Sequence, residues 1–142
     1  MNKVILIITN NLENARLAGL CAREVAGEFF DEESLAKIEL AIIETVNNCI
    51  EHAYDGFGNH QIAITFYLTD ERFSIEITDQ GKAIESKQLE NINQDFYYDP
   101  EDIGNLPEGG MGLKIIKNCV DEVIYQNVNG SNRWLLMKRI KS

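Results

Sequence analysis

The sequence predicts an α+β fold, a two-layer α/β sandwich in which a mixed, mostly antiparallel sheet carries its helices on one face. Three observations predict it. Two long segments of helical periodicity come before residue 55, one ending near Phe30 and the other spanning about Glu32 to Tyr54. From His60 the period changes to alternation, through Ile62, Ile64 and Phe66 and then Phe73, Ile75 and Ile77. The C-terminal part repeats that arrangement, Glu122 to Asn127 and Arg133 to Ile140, behind a further helical segment from Met111 to Val120.

In chain order, Lys3 to Thr9 is an apolar run around Val4, Ile5, Leu6, Ile7 and Ile8 and reads as a short strand buried on both faces. Asn10 and Glu13 form an N-cap and capping-box-like pair that opens the first helix. Asp31 likewise opens the second, which ends at the turn cluster Asp55-Gly56-Phe57-Gly58-Asn59. Thr69-Asp70-Glu71 joins the first pair of strands and Asn129-Gly130-Ser131-Asn132 the second. The third helix is carried by Leu113, Ile116 and Val120. Gln80 to Gly110 follows neither period. It holds both prolines, several glycines and many charges, as functional lids or disordered segments do.

With 142 residues, 44% of them apolar, the chain has the length and core-forming content of one domain. No run of eighteen apolar residues exists, and the opening MNKVILIITNN lacks a cleavage-site pattern, so a cytoplasmic protein with no membrane partner is expected. Cys21, Cys49 and Cys119 are spaced for neither zinc nor redox chemistry and read as small buried hydrophobes. A formal net charge of −10 opposes direct nucleic-acid binding, which rests on clustered Lys and Arg. An acidic chain can still hold a polyphosphate where backbone N–H groups, a helix N-terminus and a divalent cation supply local positive charge.

Three places carry chemistry. On the second helix Leu35, Ile38, Ile42, Val46, Cys49 and Ala53 form the core stripe, while Glu44, Asn48 and His52 recur every fourth residue and align a carboxylate, an amide and an imidazole on its flank. Such a column is ordinarily a solvated helix side, but Asn47-Asn48 in mid-helix implies a local reason for two poor helix formers. The strand Ile75-Glu76-Ile77-Thr78 ends in Asp79-Gln80-Gly81. There Asp79 can accept from an exocyclic amine and Gly81 lets the backbone approach a flat ring, although Asp-x-Gly is also a plain turn signal. Glu108-Gly109-Gly110-Met111-Gly112-Leu113 precedes a helix and can wrap an anion with its N–H groups, yet it is neither a Walker loop nor a dinucleotide fingerprint.

Taken together, the order helix with E-x-x-x-N-x-x-x-H, strand with D-x-G, long lid, G-G-x-G-L and D-E-V with a final hairpin resembles the GHKL ATPases over essentially the whole chain. Within that family the chain looks most like anti-sigma-factor serine kinases of the RsbW and SpoIIAB type. The phrases from Glu44 to Tyr54 and from Gly109 through Val123 carry the likeness.

The resemblance implies a Bergerat ATP-binding fold, a single histidine-kinase-like ATPase domain over 1–142 with an ATP lid at about 82–110, and ATP with Mg2+ as cofactors. By the same resemblance Asn48 coordinates magnesium, Glu44 is the general base and His52 lies near the phosphates. Asp79 binds the adenine amine above Gly81. Gly109, Gly110 and Gly112 cradle the phosphates, with Met111 and Leu113 in the same binding segment. The implied activity is phosphorylation of a serine on an anti-anti-sigma protein of the STAS type by a sigma-factor-binding kinase, with room for a homodimer. One departure is Ala83, where the family usually has the second glycine of D-x-G-x-G. The acidic lid, with Asp95, Asp99, Glu101, Asp102 and Glu108, is a second. Both are compatible with an alternative, a nucleotide-gated protein-binding switch without phosphotransfer. Glu44 favours the kinase, because binding alone needs no base. Lys82, Lys87 and Lys114 are the available cations, His60 reads as a surface residue and Trp134 as core. Phe96-Tyr97-Tyr98 reads equally as a core anchor or a docking patch.

Overall fold

Alternation is strictest in the residues that become the centre of the sheet. In the computed structural model, which describes residues 2–53, 59–84 and 111–141, Gln61–Leu68 forms β2 and Arg72–Asp79 forms β3. Both have every second side chain buried. Around them lie β1 (Asn2–Thr9), α1 (Leu12–Ala26), α2 (Glu32–Asn48), a π-helical turn (Cys49–Ala53), α3 (Met111–Cys119), β4 (Glu122–Val128) and β5 (Ser131–Arg139). The strands run in the order β1-β2-β3-β5-β4. Each pairing is antiparallel, so among the described residues the sheet has no parallel component and is simpler than a mixed one.

The core lies between one sheet face and the helices. Ile64 pairs with Ile77 and Ile77 with Trp134, and one step along Phe66 pairs with Ile75 and Ile75 with Leu136. All of these are buried together with Ile38, Ile42 and Val46 of α2 and Ile116 of α3. Phe66 stacks on Phe73 at 5.7 Å between ring centroids. Each such side chain contributes about 1.5–3 kcal/mol on leaving water, which makes this layer the main stabiliser of the fold. Helix α1 lies against α2 through Ala15, Ala18, Gly19, Ala22 and Ala26. A Cβ on Gly19 would sit 3.3 Å from the Glu39 carbonyl oxygen, so the glycine sets how closely the helices approach. Arg23 joins the two by donating to Glu39 at 3.0 Å and to Glu32.

Several local expectations are corrected. β1 is an edge strand rather than one buried on both faces: Val4, Ile5 and Ile7 are 45%, 59% and 60% exposed. Among the described residues it pairs with β2 alone, and of its side chains Ile8 is buried and Leu6 packs against the core, while Ile5 and Ile7 point to the opposite face. The α1 N-cap is Asn11, which accepts from the Glu13 N–H at 3.3 Å. Asn10 is instead buried and joined to His60, donating its N–H to the His60 carbonyl and accepting the His60 N–H on Oδ1, both at 3.0 Å. Helix α1 ends at Ala26, short of Phe30. The second hairpin turns on Asn129 and Gly130 alone, at φ 53° and 79°, so Ser131 and Asn132 belong to β5 and not to its loop. Cys49 and Cys119 are buried as expected, but Cys21 is exposed on α1. Among the described residues no helix is long and apolar enough to cross a membrane.

Candidate functional site

Helix α2 begins under its Asp31 cap, which accepts the Ser34 N–H at 2.8 Å, and holds α-helical geometry only as far as Asn48. The next five residues, Cys49–Ala53, widen into a π-helical turn, with the Cys49 N–H shared between the Thr45 and Val46 carbonyls. The predicted uninterrupted helix to Tyr54 is thus corrected. The Glu44 to Asn48 spacing holds, but His52 does not follow Asn48 at the α-helical period. Its side chain lies outside the described residues. Turns of this kind recur at functional sites, and two successive asparagines, weak helix formers, precede this one.

Helix α3 brings Gly112 to the same place. A Cβ on Gly112 would lie 3.0 Å from Glu44 Oε2 and 3.5 Å from Asn48 Oδ1, so the first turn of α3 sits directly over the carboxylate and the amide. Here glycine leaves open the space above the carboxylate and the amide. The Asn48 Nδ2 is buried and, among the described residues, has no hydrogen-bond partner. Leaving such a group unpaired costs about 1–3 kcal/mol, which marks the position as shaped for something other than the apo protein. Burial first, and then the negative charge of Glu51, hold the Glu44 carboxyl above the usual carboxylate range. Leu113 turns into the hydrophobic core, and Lys114 behind it is 4% exposed. Met111 opens α3, its side chain outside the described residues, as are Gly109, Gly110, Lys87, Phe96-Tyr97-Tyr98 and all of the expected lid beyond Ile84.

At the end of β3, Asp79 is 2% exposed. Its Oδ1 accepts the Gly81 N–H at 2.8 Å, closing the predicted turn, and the Asn132 amide at 2.8 Å. Its Oδ2 is buried with no N–H or O–H donor among the described residues. The Cys49 thiol hydrogen-bonds Asp79 and is held protonated, pushed up by burial, then by the charge of Asp79 and by that hydrogen bond. Asn48, Cys49, Asp79, Lys82, Tyr125 and Asn132 are among the residues that line one crevice of about 10 Å³. Ala83 is exposed.

The structure therefore brings Glu44, Asn48 and Gly112 together and sets Asp79, with Gly81 hydrogen-bonded to it, on one crevice with Asn48. Sequence reasoning missed Asn132 and Tyr125. The signal was present: Asn-Gly makes a two-residue hairpin turn, which puts Asn132 in β5 on the same face as Trp134 and Leu136. Among the described residues no three His, Cys, Asp or Glu side chains cluster as a metal-holding group.

Comparison with known proteins agrees with this architecture. Residues 8–139 match the histidine kinase-like ATPase domain family. The chain is 34% identical over 103 residues to the serine-protein kinase RsbW of Oceanobacillus iheyensis, covering 71% of this chain and 63% of that protein. It is 29% identical over 116 residues to the serine-protein kinase RsbW of Bacillus subtilis, covering 80% and 68%. The Staphylococcus epidermidis serine-protein kinase RsbW is 34% identical over 115 residues, with 80% and 69% covered. The chain thus spans between 63% and 69% of the length of these curated relatives. Among solved structures, that of the RsbU and RsbW domains of a Mycobacterium tuberculosis protein superposes with a TM-score of 0.68 at 19% identity, covering 99% of this chain and 33% of that one. The catalytic domain of the histidine kinase ThkA gives 0.55 at 14% identity, with 99% and 97% covered. These two show the fold.

Proposed function

The chain belongs to the histidine kinase-like ATPase domain family, and from that premise we propose that it is an ATP-dependent serine kinase and anti-sigma factor. In this reading it binds a sigma factor and phosphorylates a serine of a STAS-type anti-anti-sigma protein in the cytoplasm, as the kinase named for its relatives suggests. The observation that carries the chemistry is the convergence of the Glu44 carboxylate and the Asn48 amide on Gly112. A carboxyl at this position, held above the usual carboxylate range by burial and then by Glu51, is the group that a base needs and that binding alone does not, which favours the kinase over a binding switch without phosphotransfer.

The adenine amine donates to Asp79 Oδ2, the buried oxygen without an N–H or O–H donor among the described residues, and Gly81 lies beneath the ring. Gly109, Gly110 and Gly112, with Met111 and Leu113, form the loop and helix start that hold the phosphates through backbone N–H groups. His52 lies near them. Asn48 is the protein ligand for Mg2+: a hard cation takes amide and phosphate oxygens and keeps waters, and the Asn48 amide, its Nδ2 unpartnered, sits beside a carboxylate. When bound, the ion supplies charge neutralisation of the phosphates. Glu44 takes the proton of the incoming serine hydroxyl as its oxygen bonds to the γ-phosphorus and the bond to the ADP oxygen breaks. A second copy of the chain packs along β1, whose free edge and exposed Ile5 and Ile7 favour such pairing.

The test is calorimetric titration with ATP, with and without magnesium, followed by incubation of the loaded protein with a candidate STAS-type protein and radiolabelled ATP. Magnesium-dependent binding and label on serine are expected. Absence of heat under both conditions overturns the nucleotide assignment. Binding of a sigma factor that depends on ATP, without label on any antagonist, replaces the kinase with the switch.

A further inference from the structure

The alternation that buries Trp134 and Leu136 continues one step further along β5 and buries Asn132, at 2% exposure. In register, Asp79 pairs with Asn132 and Asn132 with Asn127, so a polar row ends the core face where the row Ile77, Trp134 and Tyr125 precedes it. A buried amide in such a place is stable only with both ends partnered.

Both ends are. The Asn132 Nδ2 donates to Asp79 Oδ1 at 2.8 Å, to the Lys82 carbonyl at 2.8 Å and to the Gly81 carbonyl at 3.1 Å, three acceptors sharing two hydrogens. Its Oδ1 accepts from Asn127 Nδ2 at 2.9 Å and from the Tyr125 hydroxyl. That hydroxyl in turn accepts the Ile84 N–H at 2.9 Å. Turning the amide round would set its oxygen against three other acceptors and its NH2 against the Asn127 amide, so only one orientation satisfies the network. Tyr125 is itself fixed by its ring, tilted on Trp134 at 4.9 Å. One amide therefore orients Asp79 and holds the chain leaving β3, from Gly81 through Ile84 by way of Tyr125.

Resting on the adenine-nucleotide reading above, we propose that Asn132 is a positioning residue that determines base specificity. By occupying Asp79 Oδ1 while Tyr125 and Asn127 fix its own orientation, it leaves Oδ2 as the carboxylate oxygen without an N–H or O–H donor among the described residues, the Cys49 thiol being the other group on Asp79, and so selects a 6-aminopurine over a 6-oxopurine. A 6-amino group donates to that oxygen. A 6-oxo group meets it acceptor to acceptor and is repelled.

Asn132→Asp keeps the size but sets a second carboxyl against Asp79 Oδ1, where the pair must share a proton and Asp79 no longer presents a fixed acceptor. The full chain is titrated calorimetrically with ADP and with inosine diphosphate, both with magnesium, and its folding is checked by thermal melting. The parent is expected to prefer ADP by at least about tenfold. In Asn132→Asp the affinity for ADP falls about 10- to 100-fold while that for inosine diphosphate stays within about threefold, so the preference collapses. Tyr125→Phe, which retains the ring on Trp134, serves where Asn132→Asp does not fold, and gives the same pattern with a loss of about two- to tenfold for ADP. Equal losses for both nucleotides in the folded variants, or an unchanged preference, overturn the proposal, because a merely structural residue does not distinguish the bases. A parent that binds both nucleotides equally overturns it while leaving the nucleotide site standing. A parent that binds neither overturns the underlying reading and the proposal with it.

Discussion

From Leu35 to Ile42, helix α2 turns carbon toward the sheet, and Leu35, Ile38, Ala41 and Ile42 are buried against it. From Glu44 to Asn48 the same helix carries a carboxyl perturbed by burial and an amide that finds no partner for its Nδ2 among the described residues, and then leaves α-helical geometry altogether. Within that second stretch Thr45, fully buried, satisfies itself by donating to the Ala41 carbonyl at 2.7 Å. The contrast teaches where free energy is stored and where it is held open. The first half is closed and stabilises the fold. The second is left unsatisfied, and a ligand can complete it.

The comparison predicts that the two halves fail differently. The largest effect is on chemistry: Glu44→Gln should bind ATP normally and lose phosphotransfer by about 10²–10⁴-fold, equivalent to about 2.7–5.5 kcal/mol, in a radiolabel assay. Transfer at the parent rate would remove Glu44 from the mechanism. The parent's acid limb should lie above the usual carboxylate range, because Glu44 must lose its proton to act and burial opposes that loss. The linkage to stability has a definite sign. With the folded pKa raised, the proton-linked contribution of Glu44 is fully present below its unfolded pKa and disappears as pH rises through the folded one. Glu44→Gln should therefore gain on the parent in denaturation midpoint above that pH and not below it.

Next in size is Ile42→Ala in the closed half, expected to cost about 2–5 kcal/mol of unfolding free energy by chemical denaturation, through lost burial and the cavity left behind. Nucleotide affinity of the molecules that remain folded should be unchanged, and a parallel loss of affinity would mean that the halves of α2 are not separable. Asp79→Asn should weaken ADP binding by about 1–3 kcal/mol in calorimetry, since the two donors at Oδ1 hold the amide oxygen there and turn its NH2 toward the donating adenine amine. Unchanged affinity would reduce Asp79 to a turn residue.

The smallest and most diagnostic effect is that of Gly112→Ala. Alanine favours the helix by about 1 kcal/mol, yet its Cβ would press on Glu44 Oε2 at 3.0 Å. Melting temperature should hold or rise while transfer falls several-fold. Retained transfer would show that the space above Glu44 and Asn48 is not needed.

Much of this was legible in the residues themselves. The central strands and the core stripe of α2 followed from periods of two and of 3.6, and the Asp31 cap and the Asp79-Gly81 turn from local hydrogen-bonding chemistry. Glu44 and Asn48 were named as candidates from their every-fourth-residue spacing and Gly112 from the glycine run before a helix, and their roles from the family resemblance. What a residue does depended on sequence alone wherever its partners lie within about one turn of helix or one hairpin.

The rest was decided by neighbours distant in the chain. An apolar run such as Val4 to Ile8 reads the same in a covered strand and at an edge, and only the sheet order left Ile5 and Ile7 in the open. Asn10 and Asn11 are equivalent as caps by composition, and the approach of His60 across fifty residues assigned one to the strand and the other to the helix. The role of Asn132 arises from Asp79, Gly81, Lys82 and Tyr125, which converge on it from two other strands and the chain that follows β3. Local sequence fixes which hydrogen bonds a segment can make with itself. Which of its remaining donors and acceptors are buried, and against what, is set only when the sheet and helices close on one another.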